Sequence, residues 1–298
     1  MNQARKYSDV GSDVKLVVLK GGVDAVPLPQ RSQLAHMPPS RTAGAAALSG
    51  DGRHWLLVNV TPAVADQLAT DARLLRHPGL ADAAVRTVVL TDAQMDHVTG
   101  LLSLRDGAPI HLFATPAVFE ELSHNLPVLP MLEHYCGVHW HVIPVAGECR
   151  SAVFQVDGQP QLEFTAVATD GPLPRHSHHA SGPQVGSTIA LAVRDLQTGQ
   201  RFFCASSVAG VGAMAGEWMR EADCVLLGGS PASPAHESPA ALRWTPDAAN
   251  EPWSALEGAR ASRRLVLESA DDAQTTVREQ LIERWGLEPA SDRMEVEL

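Results

Sequence analysis

Short apolar runs recur along the chain and stop at glycine, proline or aspartate, the mark of strands bounded by turns. VKLVVL (14–19) halts before Gly21-Gly22, and AAALS (45–49) turns at GDG (50–52) into HWLLVNV (54–60), a predicted hairpin. AVRTVVL (84–90), PIHLFAT (109–115), VHWHVIPV (138–145) and QLEFTAVAT (161–169) follow. STIALAV (187–193) turns through Thr198-Gly199 into RFFCAS (201–206), and CVLLGG (224–229), RRLVLES (263–269) and MEVEL (294–298) complete the set.

Helical spacing falls between these runs. TPAVADQLAT (61–70) offers Thr61 as N-cap and Pro62 as first helical residue, and TPAVFEELSHN (115–125) repeats that start. HVTGLLSLR (97–105) predicts another helix. In DAQTTVREQLIERWG (272–286), Val277, Leu281 and Trp285 share one face, and Gly286 suits the position just past the helix end. Strands with helices on both sides of a helix-free region, 155–190, predict two β-rich halves with helices outside. That is a four-layer αββα sandwich of the α/β class. The Pro-, Ala- and Ser-rich stretch 230–252 reads as a loop insertion in a single domain over 14–298, and residues 1–13 as a flexible tail.

Composition narrows the function classes. The 298 residues, 45% hydrophobic and 19% charged, suffice for a large core. A net charge of -11 argues against nucleic acid, which needs a basic stripe. No run approaches the roughly 20 apolar residues of a membrane span. MNQARKYSDVGSD lacks the apolar core of a signal peptide, so the cytoplasm is the expected location. Cys136, Cys149, Cys204 and Cys224 form no C-x-x-C pair, and Cys204 and Cys224 lie in apolar segments as expected buried thiols.

The chemistry concentrates in VVLTDAQMDHVTGLL (88–102), where a strand gives way to a polar loop holding Asp92, Gln94, Asp96 and His97. The spacing is that of a metal-binding H-x-H-x-D-H loop with Asp and Gln in place of its first two histidines. Such a loop sits at a strand's carboxyl edge, where open α/β sheets bind ligands. Asp92, Asp96 and His97 offer two oxygens and a nitrogen to Fe(II), Mn(II) or Zn(II), and Gln94 could orient water or substrate. The bland alternative makes Asp92 a turn cap, Asp96 an N-cap and His97 a hydrogen-bonded core residue. RHSHH (175–179) carries His176, His178 and His179. His179 with His97 and one carboxylate would give the two-histidine, one-carboxylate set of non-haem iron oxygenases. In EHYCGVHWH (133–141), His139 and His141 alternate onto one strand face and could bind metal with Cys136, but an ordinary strand with Trp140 on the opposite face is the stronger reading.

These segments resemble the pyrroloquinoline quinone biosynthesis protein B family, a branch of the metallo-β-lactamase fold. The resemblance is carried by RTAGAAALSGDGRHWLLVNVTP (41–62), VVLTDAQMDHVTGLLSLRDG (88–107), LEHYCGV (132–138), GSTIALAVRDLQTGQRFF (186–203) and the terminal RMEVEL. It implies an αββα sandwich and an iron-dependent hydroxylase acting on a Glu–Tyr-derived quinone precursor. It implies catalytic Asp92, Gln94, Asp96 and His97, with metal held by Asp92, Asp96, His97 and His179. Fe(II) is the expected cofactor, with Zn(II) or Mn(II) as alternatives; a homodimer is left open.

The chain also departs from that family. KGGVDAVPLPQRSQLAHMPPS (20–40) lacks the family's Cys-x-Cys-x-x-Cys motif, so no structural zinc is expected there. Ala43-Gly44-Ala45 replaces a polar Gln-Ser-Ser, and Gly228-Gly229 replaces an Asp-Gly pair. A Met-Gly-His segment is missing from the Pro/Ala loop, and Leu267 stands near an expected histidine, with Glu268, Asp271 and Asp272 as replacement donors. Three function classes follow: a metal-dependent oxygenase, an inactive carrier of the quinone or its precursor, and a metal-dependent hydrolase. The last is weakest, because a hydrolytic zinc site wants three protein ligands around an activated water.

Overall fold

Alternation along the strands builds the layers. In β1, Lys15–Lys20, Leu16 and Val18 join one core while Val17 and Leu19 join another on the opposite face. In β11, Cys224–Gly228, Cys224 and Leu226 face the first of these cores and Val225 and Leu227 a third. Strands buried on both faces belong to the middle of a layered fold. The computed structural model, which describes residues 14–20, 44–70, 86–178, 182–206, 211–228, 256–267 and 283–298, has that form.

Two seven-stranded mixed sheets face each other. The first runs β14-β1-β2-β3-β4-β5-β6. Its remaining strands are β2 (Gly44–Ser49), β3 (Leu56–Val58), β4 (Arg86–Val89), β5 (Ile110–Ala114), β6 (Val138–Val142) and β14 (Glu295–Glu297). The second runs β13-β12-β11-β10-β9-β8-β7. Its strands are β7 (Ser151–Phe154), β8 (Leu162–Ala168), β9 (Ile189–Asp195), β10 (Arg201–Ala205), β11, β12 (Arg263–Leu267) and β13 (Glu288–Pro289). The inter-sheet core includes Leu48, Phe164, Leu191 and Phe202. Helices cover the outer faces: α1 (Val64–Thr70), α2 (Met95–Val98), α3 (Pro116–Glu120) and α4 (Val128–Glu133) lie along the first sheet's segments, and α5 (Gly212–Glu221) in the second's. The expected αββα sandwich is the observed one. No helix among the described residues is long and apolar enough to cross a membrane.

Several local expectations meet their physics here. Thr115 caps α3: its side-chain oxygen accepts the Val118 N–H at 3.2 Å, with Pro116 in the first turn. Thr61 does not cap α1. Pro62 and Ala63 form a turn closed by the Val64 N–H on the Thr61 carbonyl at 3.0 Å, so the helix starts later than the Thr-Pro signal predicts. The helix expected over 97–105 is α2 followed by a tighter 3₁₀ segment, Thr99–Leu104. The run 138–145 is strand only to Val142. Cys204 and Cys224 are buried free thiols, and burial pushes both up to about 12. The tail 1–13, the insertion 230–252 and most of the helix expected over 272–286 lie outside the described residues. Of the last, Trp285 is buried in the third core, and Gly286 has the left-handed φ of 60° expected past a helix end.

Gly100 locks the candidate loop to the chain after β3. The Val60 N–H donates to the His97 carbonyl at 2.6 Å, and the Gly100 N–H returns to the Val60 carbonyl at 3.2 Å. A Cβ at Gly100 would sit 2.0 Å from the Thr61 carbonyl oxygen. Gly100→Ala is expected to lower unfolding free energy by about 1–3 kcal/mol, the usual cost of overpacking. Urea denaturation checks this; a shift under a few tenths would show that the segment moves freely.

Candidate functional site

β4 ends at Val89, and the chain enters the loop through Leu90 and Thr91. Thr91 is fixed on both sides. Its N–H donates to the Asn59 side-chain oxygen at 3.0 Å, its hydroxyl has that oxygen at 3.1 Å and an Asp92 oxygen at 3.2 Å as alternative acceptors, and its carbonyl accepts the Ile189 N–H at 2.9 Å. A bridge between Asp92 and Thr188 ties the loop to the second sheet. The loop therefore spans the carboxyl edge of the first sheet and the start of β9.

Asp92 and His97 are 1% and 4% exposed, and they bind each other. His97 Nδ1 lies 2.7 and 2.9 Å from the two Asp92 oxygens. The remaining Asp92 partners are the Gln94 N–H at 2.9 Å and the Thr91 hydroxyl at 3.2 Å. On its far side, His97 Nε2 faces the Gly44 N–H at 3.3 Å. Burial opposes the charge on Asp92, yet the His97 ring and these hydrogen bonds hold its carboxyl below the usual range. Burial likewise pulls His97 down, but the Asp92 carboxylate, helped by Asp96, raises it above the ordinary imidazole value. The Gly44 contact needs a lone pair on Nε2 and so favours the neutral ring. It is the longer contact, and the direction set by Asp92 prevails.

This geometry bears on metal binding. In neither protonation state does Nε2 offer a free lone pair: the neutral ring accepts the Gly44 N–H there, and the charged ring carries a proton. The surroundings are tight. A Cβ on Gly44 would meet Leu267 Cδ1 at 2.7 Å and the Ser206 Cβ at 3.3 Å. Leu267, near the position where the resemblance expects a histidine, is buried in the inter-sheet core. A Cβ on Gly228, where it expects an aspartate, would sit 2.3 Å from the Ser206 carbonyl oxygen. Among the described residues no three His, Cys, Asp or Glu side chains are grouped to hold a metal ion. The described residues at this loop do not by themselves fit the metal that the fold family implies; His179, Glu268, Asp271 and Asp272 lie outside the described residues.

The other expected site residues part from this pair. Gln94 uses its amide N–H₂ on the Pro172 carbonyl at 2.7 Å, joining the loop to 171–178. Asp96 is half-buried and faces outward into a cleft of about 430 Å3 lined by Gln94, Met95, Asp96, Arg175 and His176. The His176 Nε2 is buried without a hydrogen-bond partner among the described residues, and burial lowers that ring's affinity for a proton. Ser177 donates to Glu121 Oε1 at 2.5 Å and holds this segment against the helical turn Glu121–Asn125. His178 is exposed, and His179 lies outside the described residues.

Sequence reasoning missed Asn59, whose side-chain NH2 has three acceptors within hydrogen-bond distance for its two hydrogens: the Gly44 carbonyl at 3.0 Å, Thr91 Oγ1 at 2.9 Å and Ser206 Oγ at 3.0 Å. Its φ of 60° is the signal that could have found it: asparagine closing a strand is the side chain that best tolerates the left-handed region. Arg175 was also passed over, beside the histidines that drew attention to its segment.

Residues 54–267 match the β-lactamase superfamily domain. The chain belongs to that superfamily. It is 36% identical over 191 residues to coenzyme PQQ synthesis protein B of Methylobacillus flagellatus, and 38% identical over 191 residues to that of Pseudomonas aeruginosa. Each match takes in 64% of this chain and 62% of the relative, so the chain spans under two thirds of the curated relatives' length. Among solved structures, zinc-bound PqqB from Methylobacterium extorquens superposes with a TM-score of 0.72 at 20% identity, over 95% of this chain and 100% of that one. The fold is thus shared, and the resemblance read in the central loop extends well beyond it.

The paired site generates a pH prediction. Asp92, depressed in the fold, contributes stability present above about pH 4 and lost as pH falls through its folded value. His97, raised in the fold, contributes stability complete below about pH 6.5 and lost as pH rises through its folded value. The wild type should lose stability at both ends of a pH 3–9 urea series. Asp92→Asn should be about 1–3 kcal/mol less stable near pH 6, where the charge-assisted bond is lost, with both limbs flattened. Parallel pH profiles for the two proteins would rule out an ionic pair.

Proposed function

We propose that the chain serves pyrroloquinoline quinone biosynthesis by binding an amino-acid-bearing aromatic precursor, and that residues 91–97 shape the cleft instead of holding iron. The observation that carries this reading is the commitment of Asp92 and His97 to each other and to Gly44, with Leu267 packed against the same glycine. The pathway is supported by the likeness to coenzyme PQQ synthesis protein B.

The cleft has the right chemistry for such a ligand. Arg175 can pair a carboxylate and Asp96 an ammonium group, the two charges of an amino-acid moiety. Met95 and His176 supply a polarisable thioether and a flat ring against which an aromatic plane packs. A Glu–Tyr-derived precursor carries all of these groups.

The iron-dependent hydroxylase that the sequence resemblance implies is the second reading; the likeness to coenzyme PQQ synthesis protein B supports the pathway that both readings share. Anaerobic Fe(II) titration with metal content measured by mass spectrometry, alongside calorimetric titration with pyrroloquinoline quinone, separates the two. The expected result is quinone binding by metal-free protein, weakened about tenfold or more by Arg175→Ala, with no stoichiometric iron. One Fe(II) per chain, abolished in Asp96→Asn, would overturn the proposal in favour of the hydroxylase.

A further inference from the structure

A histidine cluster at the edge of the first sheet takes no part in the loop chemistry. β5 and β6 run parallel in a register that sets His111 beside His139 and Phe113 beside His141. All four side chains therefore share the inter-sheet face, where Phe113 belongs to the core. His111 Nδ1 lies 3.1 Å from His141 Nε2, and the ring centres are 5.3 Å apart. The exposed His139 ring stands 5.2 Å from that of His111. Phe113 stacks on His141 at 4.4 Å and 9°, and on Phe154 of β7 at 5.8 Å, which fixes the His141 plane.

We propose that His111 Nδ1 and His141 Nε2 chelate a late first-row divalent metal ion, Zn(II) in the first instance, with water filling the remaining positions. Two nitrogens bound to one zinc at about 2.0–2.1 Å stand roughly 3.3 Å apart in a tetrahedral site, close to the separation in the structure. Imidazole is a preferred ligand for zinc, copper and nickel. Burial, then the imidazoles of His141 and His139, depress protonation of His111 against the opposing pull of Asp157. One of the two facing nitrogens carries the proton of their 3.1 Å hydrogen bond, and metal binding moves that proton to the ring's other nitrogen by tautomer exchange. Two fixed nitrogens make an open chelate, weaker than a closed structural zinc site. Its occupant would tie the edge strand β6 to β5. Sequence alone could not show this, because His111 lies far along the chain from His139 and His141.

The test titrates the full chain with Zn(II) by calorimetry, and with Co(II) by its visible absorption. The variants are His111→Gln, His141→Gln and the surface control His124→Gln, each checked by circular dichroism. One zinc per chain is expected, with affinity reduced about tenfold or more in either cluster variant and unchanged in the control. Histidine side-chain NMR of the wild type gives a readout independent of the variants' folding: the His111 and His141 signals should respond first to Zn(II). Zinc binding that persists undiminished in both cluster variants, shifts that spare these two rings, or no binding below millimolar zinc would each overturn the proposal.

Discussion

A buried carboxylate must find its compensation inside the protein or remain uncharged, because unpaired charge is expensive away from water. Asp92 is placed where this demand governs everything around it. Its backbone bridges to Thr188, so it cannot turn to solvent without parting the loop from β9. His97 answers the charge from five residues further on, and reaching Asp92 points the opposite edge of its ring at Gly44. Gly44 in turn has no side chain because Leu267 and Ser206 occupy the space where one would lie. One ion pair thus sets the loop's path, the choice of glycine at the start of β2 and the apolar packing at the end of β12.

Asn59 supplies the second constraint, and it works through geometry more than charge. By taking a left-handed backbone at the end of β3, it turns its amide into the gap between β2, the loop and Ser206 past β10. Its carbonyl oxygen receives the Thr91 N–H, a donor that no ladder partner meets. The sheets are therefore joined at this edge by polar bonds as well as by the apolar core. A buried network of this kind tolerates little change, since each member left unpaired costs about 1–3 kcal/mol.

The layers were legible because strand patterning is read residue by residue. Val-Leu alternation in β1 and β11 assigns faces without knowledge of neighbours, and the Thr115-Pro116 cap is local chemistry. β7 was not legible: SAVF is short, only half-buried and exposed at the sheet's edge, so its pattern is weak. α5 escaped because GAMAGEWMRE carries two glycines and little apolar periodicity. At the site, the grouping of Asp92 with His97 followed from the loop's spacing, but what those groups do there did not. Whether a carboxylate and an imidazole face a cation or each other is decided by Gly44, Leu267 and Ser206, which the chain brings in from distant segments.

The two histidine settings in this fold show the same side chain under opposite rules. His97 is enclosed, faces a carboxylate at 2.7 Å and has a backbone donor behind it, so each ring nitrogen already has a role. His111 and His141 stand half-buried at a sheet edge and face each other, and the neighbouring imidazoles, which supply no counter-charge, add to burial in depressing protonation of His111. A carboxylate partner turns an imidazole into half of an ion pair, whereas imidazole partners leave it neutral with a lone pair to give. Motif spacing drew attention to the first setting because the loop is contiguous in sequence. The second is assembled by strand register, which brings together two ring nitrogens whose contact holds no opposite charge and which a cation could take over.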